Sequence, residues 1–270
     1  MRSPVLVLTA GLLACLAGCL VAGRATAGAW TLAKGEGQTI STTGRRVAPA
    51  GAFFGGVSDD DENSSQVFVE YGVADGWTLG GKLYAAFSAA DARQTEISVG
   101  LHVRHRVWQR ENGDVVSVQA GVSAPVEKWL IGDAADRLPS SVPEAHLRAL
   151  YGHGWQTGWG NSFVSAETGF HWRGEHAADE WRIDVTAGTE HWKGVMGLLG
   201  VHSIVPVIGD GEASLKIAPS VAWTMWPWLG PNDKKPFGEM NPDTVQLGLV
   251  YDLLTPGDGL EVTIGIWRRF

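Results

Sequence analysis

A long alternation of polar and apolar residues, clearest from Gln94 to Trp108, restricts the fold of this chain more than any other feature of its sequence. Glu96, Ser98, Gly100, His102, Arg104 and Arg106 fall on one face of an extended strand. Ile97, Val99, Leu101, Val103 and Val107 fall on the other, and His105 alone interrupts the apolar side. Glu111-Asn112-Gly113-Asp114 follows, and Asn-Gly is the strongest short signal for a hairpin because both residues tolerate positive φ. Beyond it the pattern resumes, with Ser117, Gln119, Gly121 and Ser123 opposite Val116, Val118, Ala120, Val122 and Ala124.

Three further segments read the same way. From Asn161 to Arg173, Ser165, Glu167, Gly169, His171 and Arg173 oppose Val164, Ala166, Phe170 and Trp172. From Glu180 to Glu190, Glu180, Arg182, Asp184, Thr186 and Gly188 oppose Trp181, Ile183, Val185 and Ala187; from Ser214 to Met225, Lys216 and Ser220 oppose Leu215, Ile217, Val221 and Trp223. The remaining strands are expected at Lys34–Arg46, Gln66–Val73, Trp77–Ser88, Ala145–Trp155, Gly194–Val205, Thr244–Leu253 and Leu260–Phe270. The chain is thus all-β, and about twelve antiparallel strands, an even number, fit an up-and-down transmembrane β-barrel with lipid outside and water inside. A soluble β-sandwich can also alternate, but its strands are usually shorter and it needs no outward aromatic belt.

Residues 1–27 read as an export signal: Arg2 is the charged start, Val5 to Val21 the apolar run, and Ala25-Thr26-Ala27 the small-residue cleavage site before Gly28. Leu16-Ala17-Gly18-Cys19 also matches the box at which bacterial lipoproteins are cut and acylated on the cysteine, so both forms of processing stay open. Both cysteines, Cys15 and Cys19, lie in this segment, and cleavage after Ala27 leaves no thiol for a disulfide or a metal. Residues 28–270 form one domain. A net charge of −8 disfavours nucleic acid, which demands clustered Lys and Arg. The 13 tryptophans suit the girdles that barrels place at both membrane interfaces.

With both termini in the periplasm, Val47–Ser65 and Glu127–Glu144 become long outer loops. Asp75-Gly76, Asn112-Gly113 and Gly158-Trp159-Gly160 become tight inner turns, with Trp77, Trp108, Trp155, Trp159 and Trp192 at the inner interface. Trp226–Asp243, long and rich in Pro, Lys and Trp, then falls on the periplasmic side, where turns are normally short.

The final stretch, Val262-Thr263-Ile264-Gly265-Ile266-Trp267-Arg268-Arg269-Phe270, resembles the closing strand of bacterial outer-membrane barrels, which ends on an aromatic residue. The family usually has an aromatic or apolar residue where Arg268 stands. The resemblance implies that Phe270 is the signal read by the barrel-assembly machinery. Glu70-Tyr71-Gly72-Val73-Ala74-Asp75-Gly76-Trp77-Thr78-Leu79-Gly80 is similar to a hairpin of small proteobacterial outer-membrane barrels. The start Gly28-Ala29-Trp30-Thr31, followed by Gly35-Glu36-Gly37-Gln38, resembles exported barrels associated with exopolysaccharide or biofilm gene sets. These resemblances imply an outer-membrane location, contact with lipid and lipopolysaccharide, and exopolysaccharide export partners.

No catalytic residues, metal or cofactor are assigned. The barrel phospholipases and lipopolysaccharide deacylases use a His-x-Ser pair, which is absent here; His202 and Ser203 are adjacent and point to opposite faces of a strand. His102 and His105, three apart, also diverge, whereas zinc needs convergent ligands. Asp59-Asp60-Asp61-Glu62 reads as a solvated loop, with divalent-cation bridging to lipopolysaccharide as the alternative. The inward face is rich in charge of both signs, so the lumen is either salt-bridged shut or hydrated. If it is open, Arg104, Arg106 and Arg148 are the candidates for an anionic solute, with Glu96 and Glu167 on the opposing wall. Three functions follow in order: a passive channel or export conduit for a small polar solute or glycan, a closed scaffold docking envelope partners, and a lipid-modifying enzyme.

Overall fold

In the computed structural model the described residues are 28–47, 62–88, 95–126, 142–158, 160–174, 177–192, 194–225, 244–255 and 259–270. They form twelve strands: β1 (Gly37–Val47), β2 (Glu62–Ala74), β3 (Trp77–Ser88), β4 (Thr95–Gln109), β5 (Val115–Pro125), β6 (Glu144–Thr157), β7 (Gly160–Arg173), β8 (Asp179–Trp192), β9 (Val195–Ile208), β10 (Ser214–Thr224), β11 (Thr244–Asp252) and β12 (Leu260–Arg269). Each pairs antiparallel with the next, and β12 pairs with β1, so the sheet closes on itself and has no edge. Every expected strand is present. The hairpin at Asp75-Gly76 turns on Gly76 (φ +71°) and the one before β5 on Gly113 (φ +96°), a backbone region that favours glycine.

Two strand starts differ from expectation by more than one residue. β2 starts at Glu62, ahead of Gln66, because the ladder with β1 continues through Asn63, Ser64 and Ser65 to the Arg46–Glu62 ion pair (3.2 Å). Those residues are polar on both faces, as suits strand ends beyond the hydrocarbon, and so carry no alternation to read. β1 starts at Gly37 instead of Lys34, since the residues before it turn into the barrel.

The alternation sorts the side chains as expected. Leu101, Val122, Leu147, Leu199 and Ile264 are each at least half exposed on the outer face, whereas Glu70, Arg104, Gln119 and His171 face inward and are buried. A belt of exposed leucine and valine this extensive is stable only in hydrocarbon. The fold is therefore that of a bacterial outer-membrane barrel. Trp77, Trp108, Trp155 and Trp192 are exposed at the strand ends on the turn side, as an aromatic girdle, and Trp172 and Trp181 form an aromatic patch on β7 and β8 at the opposite end. Trp159, Asp59–Asp61, most of both long outer loops and all of 226–243 lie outside the described residues.

Barrel closure ends at the C-terminus, where Gly37 N donates to Phe270 O (2.7 Å) and Phe270 N donates to Gly37 O (2.9 Å). The Phe270 ring occupies the space beside Gly37, where a Cβ would fall 2.2 Å from its Cε2.

Candidate functional site

The segment ahead of β1 runs inside the barrel as a band along its wall, meeting one strand after another. Gly35 N donates to Gly72 O on β2 (2.8 Å), and Leu32 N to Thr78 Oγ1 on β3 (2.9 Å). Arg104 Nη1 on β4 donates to Trp30 O (3.1 Å), and Ser117 Oγ on β5 to Ala29 O (2.5 Å). The Trp30 ring covers Gly152 on β6 and meets Phe163 on β7 edge-on, with centroids 6.2 Å apart. Gly28, the first of the described residues, lies against Ser165 and Glu167 of β7. Ala29, Val115 and Leu150 form a small buried core under Trp30. The strands make room for the band with glycine, since a Cβ at Gly72 would lie 2.0 Å from the Ala33 carbonyl oxygen.

This lining buries Glu70, His102, Arg104 and Gln119, and the charges around them are paired, while Lys82 on β3 stays exposed with its Nζ 5.3 Å from the Tyr84 ring centroid. Glu70, 1% exposed, accepts from Gln38 Nε2 (2.7 Å) and Arg104 Nη2 (2.6 Å) and meets His102 Nε2 at 3.0 Å. Arg104 Nε also donates to Gln119 Oε1 (3.1 Å), so the guanidinium is committed on every side. Arg148 donates to Glu167 Oε2 (2.9 Å) and to Asp184, whose other oxygen meets His202 Nδ1 at 2.9 Å. Nearer the outer rim, Glu144 joins His171 Nδ1 (2.7 Å) and Arg182 Nη2 (2.9 Å), and Glu180 joins Arg182 and Arg173. Buried charges persist only when satisfied in this way.

The expected solute-binding set is thus dispersed. Arg104 is covered by the lining, Arg106 bonds the exposed Asp75 at the inner rim (2.8 Å), and Arg148 holds Glu167 directly instead of facing it across open lumen. Glu96 stands toward the outer end of β4, across from Ala86. His102 and His105 diverge: the first is buried with Glu70, and the second stacks on Trp77 outside, with centroids 4.0 Å apart. His202 points at Asp184, on the face opposite Ser203.

One cluster was not legible in the sequence. Glu144, His146 and His171 bring possible ligand atoms within 4.8 Å of one another, because His146 pairs with His171 across β6 and β7. Strand register alone creates this pair. Gln119 gives its oxygen to Arg104, so its amide NH₂ faces His146 Nε2 (3.4 Å) and leaves the ring proton on Nδ1, toward Glu144. Glu144 is already held by His171 and Arg182, and His146 Nδ1 stands 3.8 Å from Glu144 Oε1, too far for a hydrogen bond.

The opposite wall differs. Lumen positions Thr42, Lys216, Ser220, Gln246 and Thr263 on β1 and β10–β12 are only half-buried, with Gln246 Nε2 donating to Ser220 Oγ (2.7 Å). They offer hydroxyl and amide groups and the Lys216 ammonium. A separate concavity of about 910 Å³ is lined mainly by Trp155, Leu199, Val221, Leu247 and Leu249, residues of the membrane-facing surface, and suits acyl chains rather than a polar solute.

At the turn between β4 and β5, Asp114 accepts from Tyr151 Oη (2.8 Å) and Asn112 Nδ2 (2.8 Å) and meets His153 Nδ1 (2.7 Å). These bonds, the one from Tyr151 above all, hold its carboxyl below the usual aspartate range.

No protein-family model matches the sequence, and no curated protein matches it. Among solved structures, the COG4313 outer membrane channel from Pseudomonas putida F1 is similar over 92% of this chain and 100% of its own, with a TM-score of 0.59 and 11% identity. The KdgM porin is similar over 86% of this chain and 99% of its own, with a TM-score of 0.54 and 7% identity. The chain shares the outer-membrane barrel fold. At such identities the likeness concerns the fold alone.

Proposed function

We propose that the barrel is a passive channel for a small polar solute or glycan segment, with the N-terminal band narrowing the lumen to a path along β10–β12 and β1. The observation that carries this reading is the difference between the groups beneath the band and those beside it: Glu70, His102 and Arg104 are buried and paired, whereas Thr42, Lys82, Lys216, Ser220, Gln246 and Thr263 keep access to water. Hydroxyl and amide groups exchange hydrogen bonds with a passing solute without holding it, which is what conduction requires. The channel and porin barrels that share the fold support the same reading.

The path is tested by placing a bulky side chain in it. Gln246→Trp lowers conductance in planar bilayers, while Arg104→Gln leaves charge selectivity near wild type because Arg104 lies beneath the band. Should Gln246→Trp conduct as wild type, the path lies elsewhere. Should Arg104→Gln, Arg106→Gln and Arg148→Gln together shift the reversal potential toward cations, the arginines select the solute and the sequence-based assignment of an anionic solute stands.

The saturated ion pairs and the inner band also support a second reading, a closed scaffold that docks envelope partners, which predicts a folded but silent barrel. For Phe270 we infer a role as the assembly signal, supported by its place at the β1–β12 closure.

A further inference from the structure

Gly28, the first of the described residues, lies against β7. A Cβ there would fall 1.8 Å from Ser165 Oγ and 3.1 Å from Glu167 Oε1, and its φ is +75°, so the site takes glycine. Ser165 is 2% exposed, and its Oγ has no hydrogen-bond partner among the described residues. A buried hydroxyl with nothing to bond calls for a donor or acceptor at that point.

Charge at the same place is unbalanced. Glu167 and Asp184 share the single guanidinium of Arg148, through Glu167 Oε2 and Asp184 Oδ2. Arg104, the next guanidinium along the wall, is committed to Glu70, Gln119 and the Trp30 carbonyl. His202 contacts Asp184 through Nδ1. Against these two carboxylates stands one permanent positive charge, that of Arg148, and Glu167 turns Oε1 toward Gly28.

We propose that the chain is cut between Ala27 and Gly28 and that the α-ammonium group so formed docks on Glu167 and Ser165, pinning the band to β7. In the cut, a peptidase directs water onto the Ala27 carbonyl; hydroxyl goes to that carbon, and the departing Gly28 nitrogen takes a proton, then a second from solvent. An ordinary α-amino group has a pKa of about 7.7–8.0 and is mostly cationic at neutral pH. It brings three donors and a positive charge, whereas an uncut amide at Gly28 brings one donor and no charge. The band is therefore complete only after processing, and the inference does not depend on whether the barrel conducts.

The test uses protein purified from the outer membrane of an expressing Gram-negative host. Intact mass and N-terminal sequencing give the first residue. An amine-reactive ester is then applied to the folded barrel in detergent and to the denatured chain, and labelling is read by mass spectrometry of the N-terminal peptide, with exposed Lys34 as internal control. The expected first residue is Gly28. Its amine reacts at least about tenfold more slowly in the folded barrel, the scale of one charge-assisted hydrogen bond. Glu167→Gln removes most of that protection and leaves Lys34 unchanged. An acyl chain on Cys19, any other first residue, equal rates in folded and denatured protein, or full protection in Glu167→Gln overturns the proposal. Folding of each variant is verified by its heat-modifiable gel mobility. If Glu167→Gln does not fold, Ser165→Ala carries the test: it labels faster than wild type, and an unchanged rate overturns the proposal.

Discussion

Replacing Arg104 with alanine leaves Glu70, 1% exposed, with only His102 and Gln38 for partners, and strips the Trp30 carbonyl of its donor. Removing one member of a buried ion pair typically costs 3–5 kcal/mol, most of it the burden of the stranded charge. Water in the lumen relieves part of that burden, so the expected loss is near the lower bound, about 3 kcal/mol. Arg106→Ala provides the contrast. Its partner Asp75 has a side chain 92% exposed, and a solvent-exposed pair is worth about 1 kcal/mol or less. Glu70→Gln combined with Arg104→Ala removes the stranded charge and recovers part of the loss. The assay is equilibrium unfolding by guanidinium of barrels refolded in phosphatidylcholine vesicles, followed by tryptophan fluorescence. If Arg104→Ala and Arg106→Ala lose the same stability, or the double variant recovers nothing, Arg104 is not the buried centre described here.

Gly72→Ala sets a methyl against the backbone carbonyl of Ala33 and displaces the band, at a cost of about 1–3 kcal/mol, and larger conductance steps in planar bilayers are the expected readout. Leu101→Arg, near the middle of β4 on the outer face, destabilises the barrel in vesicles by about 2–4 kcal/mol; a neutral result would remove Leu101 from the hydrocarbon. Asp114 titrates below its ordinary value of 3.8, and Tyr151→Phe raises it toward that value in a carboxyl NMR titration. Because the folded-state pKa is the depressed one, the contribution of Asp114 to stability is present above pH 3.8 and is lost as pH falls through the folded pKa.

The strands were legible because a membrane barrel writes inside and outside residue by residue: Leu101 meets lipid and His102 meets the lumen, with one covalent step between them. That rule fails where both faces are wet, which is why Asn63–Ser65 read as loop although the ladder runs through them. It also says nothing of residues 28–36, whose place is set by shape. Ala29, Leu32 and the glycines at 72 and 152 have no period; the only trace in the sequence is the small size of the lumen residues that the band crosses. Alternation does identify which charges face inward, but not their partners. Arg104 reaches Glu70 across an intervening strand, and Arg148 joins Glu167 diagonally, and both contacts depend on register and on strand stagger.

The central claim is that a water-accessible path remains beside the band. It is tested most directly by single-channel recording of the purified, folded barrel in a planar lipid bilayer under a salt gradient. The account predicts stable conductance steps in the wild-type protein. A barrel that is folded by its gel mobility yet carries no current at any applied voltage would contradict it and leave the closed scaffold in its place.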